Sequence, residues 1–303
     1  MIVDIFSSRG FNSSAFSFVC NTSGSGKTRL ILEGLIKYWG LYFVVARDEN
    51  NVGVDDLENV LNDIDLYKDW TDDLRIFNGP AQQEREKSNI QISNRAVKKV
   101  LAARLVVFEL FLQLAVAPDR RILPEHPRIW LLFQLCNPLP GFETPHPFIT
   151  MKRCLDRASD RALTFLINDF ERRVHQQYFP TSKFFITLDE AQVASRLNRF
   201  SFLSSSDRTK SRSVLREIVK VFSVLVSQIV VSGTGLSLED VEDDLTSGVG
   251  KPRGRFKTFV DFGMLDDPLK LGATLRKYIP PFMLESDSGK SLQLRIREYL
   301  PGR

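Results

Sequence analysis

The sequence is poor in the two residue types that most often form cross-links or hold zinc. Among its 303 residues there are three cysteines and three histidines. Cys20, Cys136 and Cys154 lie far apart, with no C-x-x-C pair and no histidine at ligand spacing. Neither a disulfide framework nor a zinc site is therefore indicated.

Long uninterrupted apolar runs are also missing. The most apolar stretch, Val100 to Pro118, contains Arg104 and Glu109 and follows two lysines. Those charges predict a buried helix instead of a membrane span. Residues 1–15 are serine-rich and show no basic and then apolar leader, so no secretory signal is visible. We therefore expect a soluble intracellular protein.

The chain has no strong excess of either charge. Its 41 Lys and Arg residues are interleaved with 37 Asp and Glu residues along most of its length, and the net charge is +4. This balance does not indicate a nucleic-acid-binding protein. A hydrophobic content of 43% in 303 residues suffices for the core of one large α/β domain or two small ones.

What the sequence does contain is a strand, loop and helix pattern from Phe16 to Ile36. Apolar residues precede the segment NTSGSGKT, at 21–28, and apolar residues at helical spacing follow it. The segment fits the P-loop (Walker A) pattern G-x-x-x-x-G-K-[ST] except at Asn21, which replaces the first glycine. Asparagine tolerates a left-handed backbone, which would let the turn form. The alternative is a surface turn that contains Gly-Lys-Thr by chance.

Each part of a P-loop has a chemical role. Backbone N–H groups wrap the phosphates, the lysine supplies positive charge, and the next hydroxyl ligates Mg²⁺. We therefore assign Lys27 to the phosphates and Thr28 to the metal, and expect the helix that begins at about Lys27 to add its N-terminal dipole. The predicted nucleotide-binding residues are Asn21, Ser23, Gly24, Ser25, Gly26, Lys27, Thr28 and Arg29.

A second chemical motif is KFFITLDEAQ, at 183–192. Its apolar residues predict a buried strand that ends in two adjacent carboxylates, Asp189 and Glu190. As in a Walker B motif, Asp189 would hold Mg²⁺ together with Thr28, and Glu190 would act catalytically by polarising the attacking water. The alternative is that the two acids only cap a helix that starts near Ala191.

Two further polar segments follow. A predicted strand at 229–231 ends in Ser-Gly-Thr-Gly, and Ser232 and Thr234 are candidate sensors of the γ-phosphate. The alternative is ordinary turn chemistry, since these residue types are common at strand ends. The basic loop at 251–255 is either an arginine finger or solvated surface.

Five strand-like segments alternate with helical patterns, and they begin at Phe16, Leu41, Phe184, Ile229 and Phe256. Such a series predicts an α/β three-layer sandwich with a mainly parallel, five-stranded P-loop NTPase sheet and a helical insert between the second and third strands. The acidic pair and the polar strand tip favour the P-loop class in which one more strand lies between the P-loop strand and the acidic strand.

The predicted domain organisation has three parts. They are a lead-in over 1–15, an NTPase domain over 16–275 with a mostly helical insert at 56–180, and a short tail over 276–303 in place of the lid domain that usually follows.

Several element boundaries are predicted from turn and cap signals. The P-loop helix should end near Gly40, which would be its C-cap. A turn is expected at Asn78-Gly79-Pro80, and a long helix is expected after it with Ser93 or Asn94 as its N-cap. The proline-rich residues 122–147 are typical of an insert or a lid.

The strings NTSGSGKTRLILEGL, WGLYFVVARD, ITLDEAQ and VVSGTGLS together resemble the P-loop NTPase domain of fungal Crinkler-like proteins. The resemblance extends over most of Phe16 to Leu275 and implies an AAA-like or STAND-like ATPase module. Such modules are often joined to a nuclease-like domain in proteins discussed as secreted effectors that act in nuclei. We find neither the delivery region of that family nor a nuclease-type set of carboxylates and lysine in this sequence.

The leading functional hypothesis is an ATPase that needs Mg²⁺ and whose nucleotide state switches a larger assembly. ATP is preferred over GTP because the guanine-specific N-K-x-D pattern is not found. The second hypothesis is a nucleotide-binding or protein-interaction module without hydrolysis, such as a truncated Crinkler-like fragment. The expected partners are a nucleoside triphosphate and either a protein partner or a second copy of the chain.

Overall fold

A computed structural model of the chain describes residues 16–21, 26–47, 51–116, 122–137, 145–180, 183–204, 207–225, 228–235, 256–259, 268–276 and 279–299. Within them, five parallel strands form one sheet with the order β2-β3-β6-β1-β7. These strands are β1 (Phe16–Cys20), β2 (Gly40–Val44), β3 (Phe185–Asp189), β6 (Gln228–Gly233) and β7 (Phe256–Phe259). The predicted α/β class and its parallel five-stranded sheet are confirmed. A short antiparallel pair, β4 (Phe202–Leu203) and β5 (Ser211–Arg212), was not predicted.

Half of the helices in the described residues lie between β2 and β3. The described helices are α1 (Lys27–Lys37), α2 (Asp56–Asn62), α3 (Gly79–Ala115), α4 (Glu125–Leu135), α5 (Pro147–Cys154), α6 (Asp160–Phe170), α7 (Gln176–Tyr178), α8 (Ala191–Arg196), α9 (Val214–Phe222), α10 (Pro268–Leu275), α11 (Pro281–Glu285) and α12 (Asp287–Tyr299). Two 3₁₀ turns, Ile64–Leu66 and Leu74–Ile76, and a π-helical turn, Glu171–His175, complete the described elements.

The two faces of the sheet are covered by different helices, because successive side chains of a strand point to opposite sides. Phe18 and Leu41 belong to the larger core, which includes apolar residues of α3, α6 and α9. Val19 and Tyr42 belong to a smaller core formed with α1 and with Leu131 of α4. This arrangement of a parallel sheet between two helical layers explains why the strands read as continuous apolar runs.

The region between β2 and β3 is not separate from the sheet. Trp130 and Gln134 of α4 both donate hydrogen bonds to the carbonyl oxygen of Gly40, at 2.8 and 3.2 Å. The side-chain oxygen of Gln134 accepts from the backbone N–H of Tyr42 at 2.9 Å. Because β2 is an edge strand, these bonds satisfy backbone groups that have no neighbouring strand. α4 therefore forms part of the packing at the edge of the sheet.

The long helix begins earlier than predicted. α3 starts at Gly79, with Asn78 at the N-cap position and a proline in its first turn, and it runs for 37 residues. The Asn-Gly-Pro signal marks a helix start here, because proline in the first turn gives up no hydrogen bond. The predicted caps, Ser93 and Asn94, lie in its interior. The helix is mostly buried from Ala96 to Phe108, whereas Leu110 and Leu114 near its end are exposed. None of the described helices combines the length and apolar character needed to cross a membrane.

The C-terminal residues contain more structure than the predicted tail. α11 and α12 lie within 281–299 and pack against each other. The basic loop at 251–255, which the sequence analysis singled out, lies outside the described residues.

Gly40 is the first residue of β2, and the prediction that it caps α1 is wrong. α1 ends at Lys37, and the N–H of Tyr38 donates to the carbonyl oxygen of Gly34 at 3.0 Å. A Cβ atom at Gly40 would lie 2.5 Å from the carbonyl oxygen of Phe185 and 2.7 Å from the side chain of Leu35. Glycine is required because strand β3 and helix α1 approach this backbone closely.

We expect Gly40→Ala to lower the free energy of unfolding by about 1–3 kcal/mol, because the added methyl group overlaps a backbone atom. The matched control is Gly272→Ala in α10, where a Cβ atom would meet no atom within 4 Å. There the same change should be neutral or stabilising by about 0.5–1 kcal/mol. Urea denaturation of both variants and the wild type measures the difference, and equal stability of Gly40→Ala and the wild type would contradict the packing argument.

Glu217 is a fully buried acid on α9, the helix that packs against α3. Its nearest cations are Arg216 and Lys220, at 3.5 and 3.8 Å. Burial raises the pKa of Glu217, and Lys220, Arg216 and the side-chain amide of Asn94 oppose this effect only in part.

The raised pKa of Glu217 gives stability a defined dependence on pH. The folded state holds the proton more tightly than the unfolded state, so the stabilising contribution is complete at low pH and is lost as the pH rises through the raised pKa. Glu217→Gln removes this ionisation while keeping the shape of the side chain. The variant should be more stable than the wild type at pH 8, by on the order of 1 kcal/mol.

The difference in unfolding free energy between Glu217→Gln and the wild type should shrink when urea denaturation is repeated at pH 4.5. Glu285→Gln, at an exposed position on α11, is the control and should show no such trend. If the difference in unfolding free energy between Glu217→Gln and the wild type stays constant over this pH range, Glu217 does not have a raised pKa.

Candidate functional site

The candidate site lies at the carboxyl edge of the sheet, where three neighbouring strands end. β6 lies between β1 and β3, in the order expected for the predicted class. In this register Cys20 pairs with Gly233, and Leu188 pairs with Val231. The residues that follow these positions therefore meet at one edge, which is where ligands of open parallel α/β sheets bind.

The hydroxyl group of Thr28 and the carboxylate of Asp189 are in direct contact. Thr28 Oγ1 donates to Asp189 Oδ2 at 2.7 Å, although the two residues are 161 positions apart in the chain. Thr28 lies in the first turn of α1, and Asp189 is the last residue of β3 and is buried. The structure thus brings together two oxygen atoms of the types that Mg²⁺ prefers.

Lys27 is buried beside this pair. Its Nζ atom donates to the backbone oxygen of Asn21 at 3.0 Å. Burial lowers the pKa of Lys27, and the nearby carboxylates of Glu190 and Asp189 counteract this shift. A cation in such an environment is stabilised by any anion that comes within contact distance.

The loop residues are described in part. Gly26 has the left-handed backbone, with φ of 86°, and Asn21 is not among the described residues with positive φ, so the expectation that asparagine supplies this conformation is not met. The predicted cradle residues Ser23, Gly24 and Ser25 lie outside the described residues. The side chain of Arg29 is half exposed and pairs with Glu33 at 2.8 Å.

Glu190 directly follows Asp189 and adopts a left-handed backbone, with φ of 55°. This conformation is uncommon outside glycine and costs free energy of order 1–3 kcal/mol, and such residues cluster at functional sites. Glu190 occupies the N-cap position of α8 but makes no side-chain capping bond. Its Oε2 accepts a short hydrogen bond from Gln192 Nε2 instead. Glu190 therefore lies at the start of α8 without making the side-chain hydrogen bond that a capping role would require.

Gln192 and Tyr42 contact the predicted site residues, and sequence reasoning missed both. The side-chain oxygen of Gln192 accepts from the backbone N–H of Thr234 at 3.0 Å, so this residue joins Glu190 to the end of β6. The hydroxyl of Tyr42 donates to Asp189 Oδ2 at 3.2 Å. The only sequence signals were a glutamine two positions after the acid and a hydroxyl group within an apolar strand.

Ser232 is fully buried, and its hydroxyl has no hydrogen-bond partner among the described residues. It pairs with Val19 across the sheet, one position before the end of β1. Buried polar groups in native proteins are almost always hydrogen-bonded, so an unsatisfied hydroxyl at a strand tip indicates a place where a ligand or water supplies the missing partner.

The chain matches no family model, and no curated protein matches it. The described residues also hold no cluster of three or more His, Cys, Asp or Glu side chains that would form an all-protein metal site. A magnesium ion between a P-loop hydroxyl and a carboxylate needs no such cluster, since phosphate oxygens and waters supply its other ligands.

Ser232→Ala should leave the ligand-free protein as stable as the wild type or more stable by about 1 kcal/mol, because it removes a buried hydroxyl that has no partner. Ser201→Ala is the matched control. That hydroxyl lies in an equally buried residue but donates to the backbone oxygen of Asp72 at 2.9 Å, so its loss should cost about 1 kcal/mol. Denaturation without ligand measures both, and equal losses would show that Ser232 has a protein partner after all.

Proposed function

We propose that the chain binds a nucleoside triphosphate together with Mg²⁺, hydrolyses it, and changes conformation with its nucleotide state. ATP is the proposed nucleotide. The observation that carries the proposal is the 2.7 Å contact between Thr28 and Asp189, because it joins the helix after β1 to the end of β3 at the ligand-binding edge of the sheet.

Thr28 and Asp189 would hold the Mg²⁺ ion, and Lys27 would bind the phosphates. When bound, the ion bridges phosphate oxygens and neutralises the charge that develops during phosphoryl transfer. Lys27 is suited to its role because it is buried, cationic and placed at the start of α1, where the helix dipole also favours anions. The fit of this group to the residues rests on the Thr28–Asp189 contact and on the unsatisfied hydroxyl of Ser232.

Glu190 would orient the attacking water. Gln192 holds this carboxylate and at the same time holds the backbone of Thr234, so the position of the acid depends on the end of β6. Ser232 or Thr234 would sense the γ-phosphate, and the hydroxyl of Ser232 still has a hydrogen bond to offer. Catalysis of this kind consists mostly of positioning and charge stabilisation.

The order of the strands supports the class within which this function is proposed. A strand between the P-loop strand and the acidic strand is typical of the AAA-type and signal-transduction ATPases, and β6 occupies that place. We therefore keep the Crinkler-like, AAA-like or STAND-like ATPase module as the proposed affiliation, with the motifs at 21–28 and 183–192 as its basis.

A second candidate function is nucleotide binding without hydrolysis. Two observations favour it. Asn21 replaces the first loop glycine, and the hydrogen bond from Gln192 engages one of the two carboxylate oxygens of Glu190. In this case the nucleotide would regulate contact with a protein partner.

Turnover and binding of Mg-ATP by three purified variants test the proposal. Lys27→Ala should lose nucleotide binding by at least about tenfold, because it removes the buried cation. Glu190→Gln should keep binding and lose turnover by about 10²-fold or more, because the amide is a poor base. Lys37→Ala removes an exposed lysine at the far end of the same helix and should behave as wild type.

Equal background turnover in the wild type, Lys27→Ala and Glu190→Gln would remove the enzymatic function. If nucleotide binding were then still lost only in Lys27→Ala, the second candidate function would be supported. The same titrations with GTP report the base preference.

A further inference from the structure

Tyr42 is the buried side chain that joins the edge strand β2 to the proposed magnesium site. Tyr42 pairs with Thr187 of β3, and Val44, two positions further along β2, pairs with Asp189. The hydroxyl of Tyr42 thus reaches two positions along the adjacent strand, where it donates to Asp189 Oδ2 at 3.2 Å. Thr28 donates to the same oxygen atom at 2.7 Å.

The backbone of Tyr42 is fixed from outside the sheet. Its N–H donates to Gln134 Oε1 of α4 at 2.9 Å, and its carbonyl oxygen accepts a short hydrogen bond from Arg104 of α3. Arg104 is itself immobilised, because its Nε atom donates to the buried carboxylate of Asp56 at 2.8 Å and its guanidinium lies 4.1 Å from the ring centre of Phe43. Two helices therefore determine where the phenol group lies.

We propose that Tyr42 is a positioning residue that orients the Asp189 carboxylate for Mg²⁺. The proposal rests on the function proposed above. Asp189 Oδ2 accepts from the hydroxyls of Thr28 and Tyr42, and Asp189 Oδ1 accepts from the backbone N–H of Glu190 at 3.1 Å. The bond from Tyr42 fixes Oδ2 from the side of β2, so the carboxylate group cannot rotate freely. Groups that hold a metal ligand in this way typically contribute about 10–100-fold to metal affinity.

The same geometry separates this role from general support of the fold. The ring of Tyr42 packs in the smaller core, and Tyr42→Phe keeps that ring while it removes the hydroxyl. Asp189 retains its contact with Thr28 in this variant. Loss of the hydroxyl should therefore weaken the affinity for the metal ion strongly and the affinity for metal-free nucleotide very little.

The test is a titration with Mn²⁺, whose free form is measured by electron paramagnetic resonance, in the presence of a non-hydrolysable ATP analogue. We expect Tyr42→Phe to bind Mn²⁺ about tenfold more weakly than the wild type. Binding of the analogue without metal should stay close to wild type, and the melting temperature of the ligand-free protein should fall by only about 2–4 °C, because one buried hydrogen bond is lost. Tyr178→Phe, which removes the same hydroxyl from α7, should leave all three measurements unchanged.

The results distinguish failure of the proposed function from failure of the positioning role of Tyr42. If the wild type binds neither the analogue nor Mn²⁺ with it, the proposed function fails and the positioning role fails with it. If the wild type binds both and Tyr42→Phe has the same Mn²⁺ affinity, the positioning role alone is overturned. If Tyr42→Phe weakens metal-free binding of the analogue as much as it weakens Mn²⁺ binding, the hydroxyl supports the fold in general, and the positioning role is again overturned.

Discussion

Parallel pairing of β1, β6 and β3 is the constraint on which the rest of the structure depends. Because the three strands run in one direction, their last residues meet at one edge, and Thr28 comes to lie against Asp189. Parallel strands also require long connections, and the connection between β2 and β3 supplies several of the helices that cover the sheet, among them α3 and α4. The position of the site and the presence of the helical layers therefore both follow from the parallel direction of the strands.

The helical layers also bring charge into the interior. Arg104 and Asp56 form an ion pair with no exposure to solvent, and the guanidinium lies between the rings of Phe43 and Phe148. Removing one partner of such a pair typically costs about 3–5 kcal/mol, because the other charge is left buried. In this protein the arginine has a second task, since it also donates to the carbonyl oxygen of Tyr42. Stability of the layer and the position of the edge strand are therefore connected.

Much of the fold and the centre of the site could be predicted from the sequence, because both depend on local patterns. Continuous apolar runs identified β1 and β3, which are buried on both faces, and the Gly-Lys-Thr and Asp-Glu pairs identified Thr28 and Asp189. The start of α3 was missed because helical periodicity becomes visible only where a helix packs against a core, and its first turns are exposed.

Other features could not be predicted because they depend on which elements become neighbours. Position 40 requires glycine because β3 and α1 approach its backbone closely. No local sequence signal distinguishes such a glycine from one that caps a helix. Tyr42 and Gln192 take their roles from the order of the strands, which places β2 beside β3 and β6 on its other side. β4 and β5 are two residues long, which is too short for a periodic pattern.

The contact between Lys27 and the carbonyl oxygen of Asn21 has a consequence for the course of the backbone. This hydrogen bond joins two residues that are six positions apart, and it holds the residue after β1 against the start of α1. A contact that closes a loop in this way fixes both ends of the segment between them. The side chain of Lys27 therefore contributes to the geometry of the connection between strand and helix as well as to the charge at this edge of the sheet.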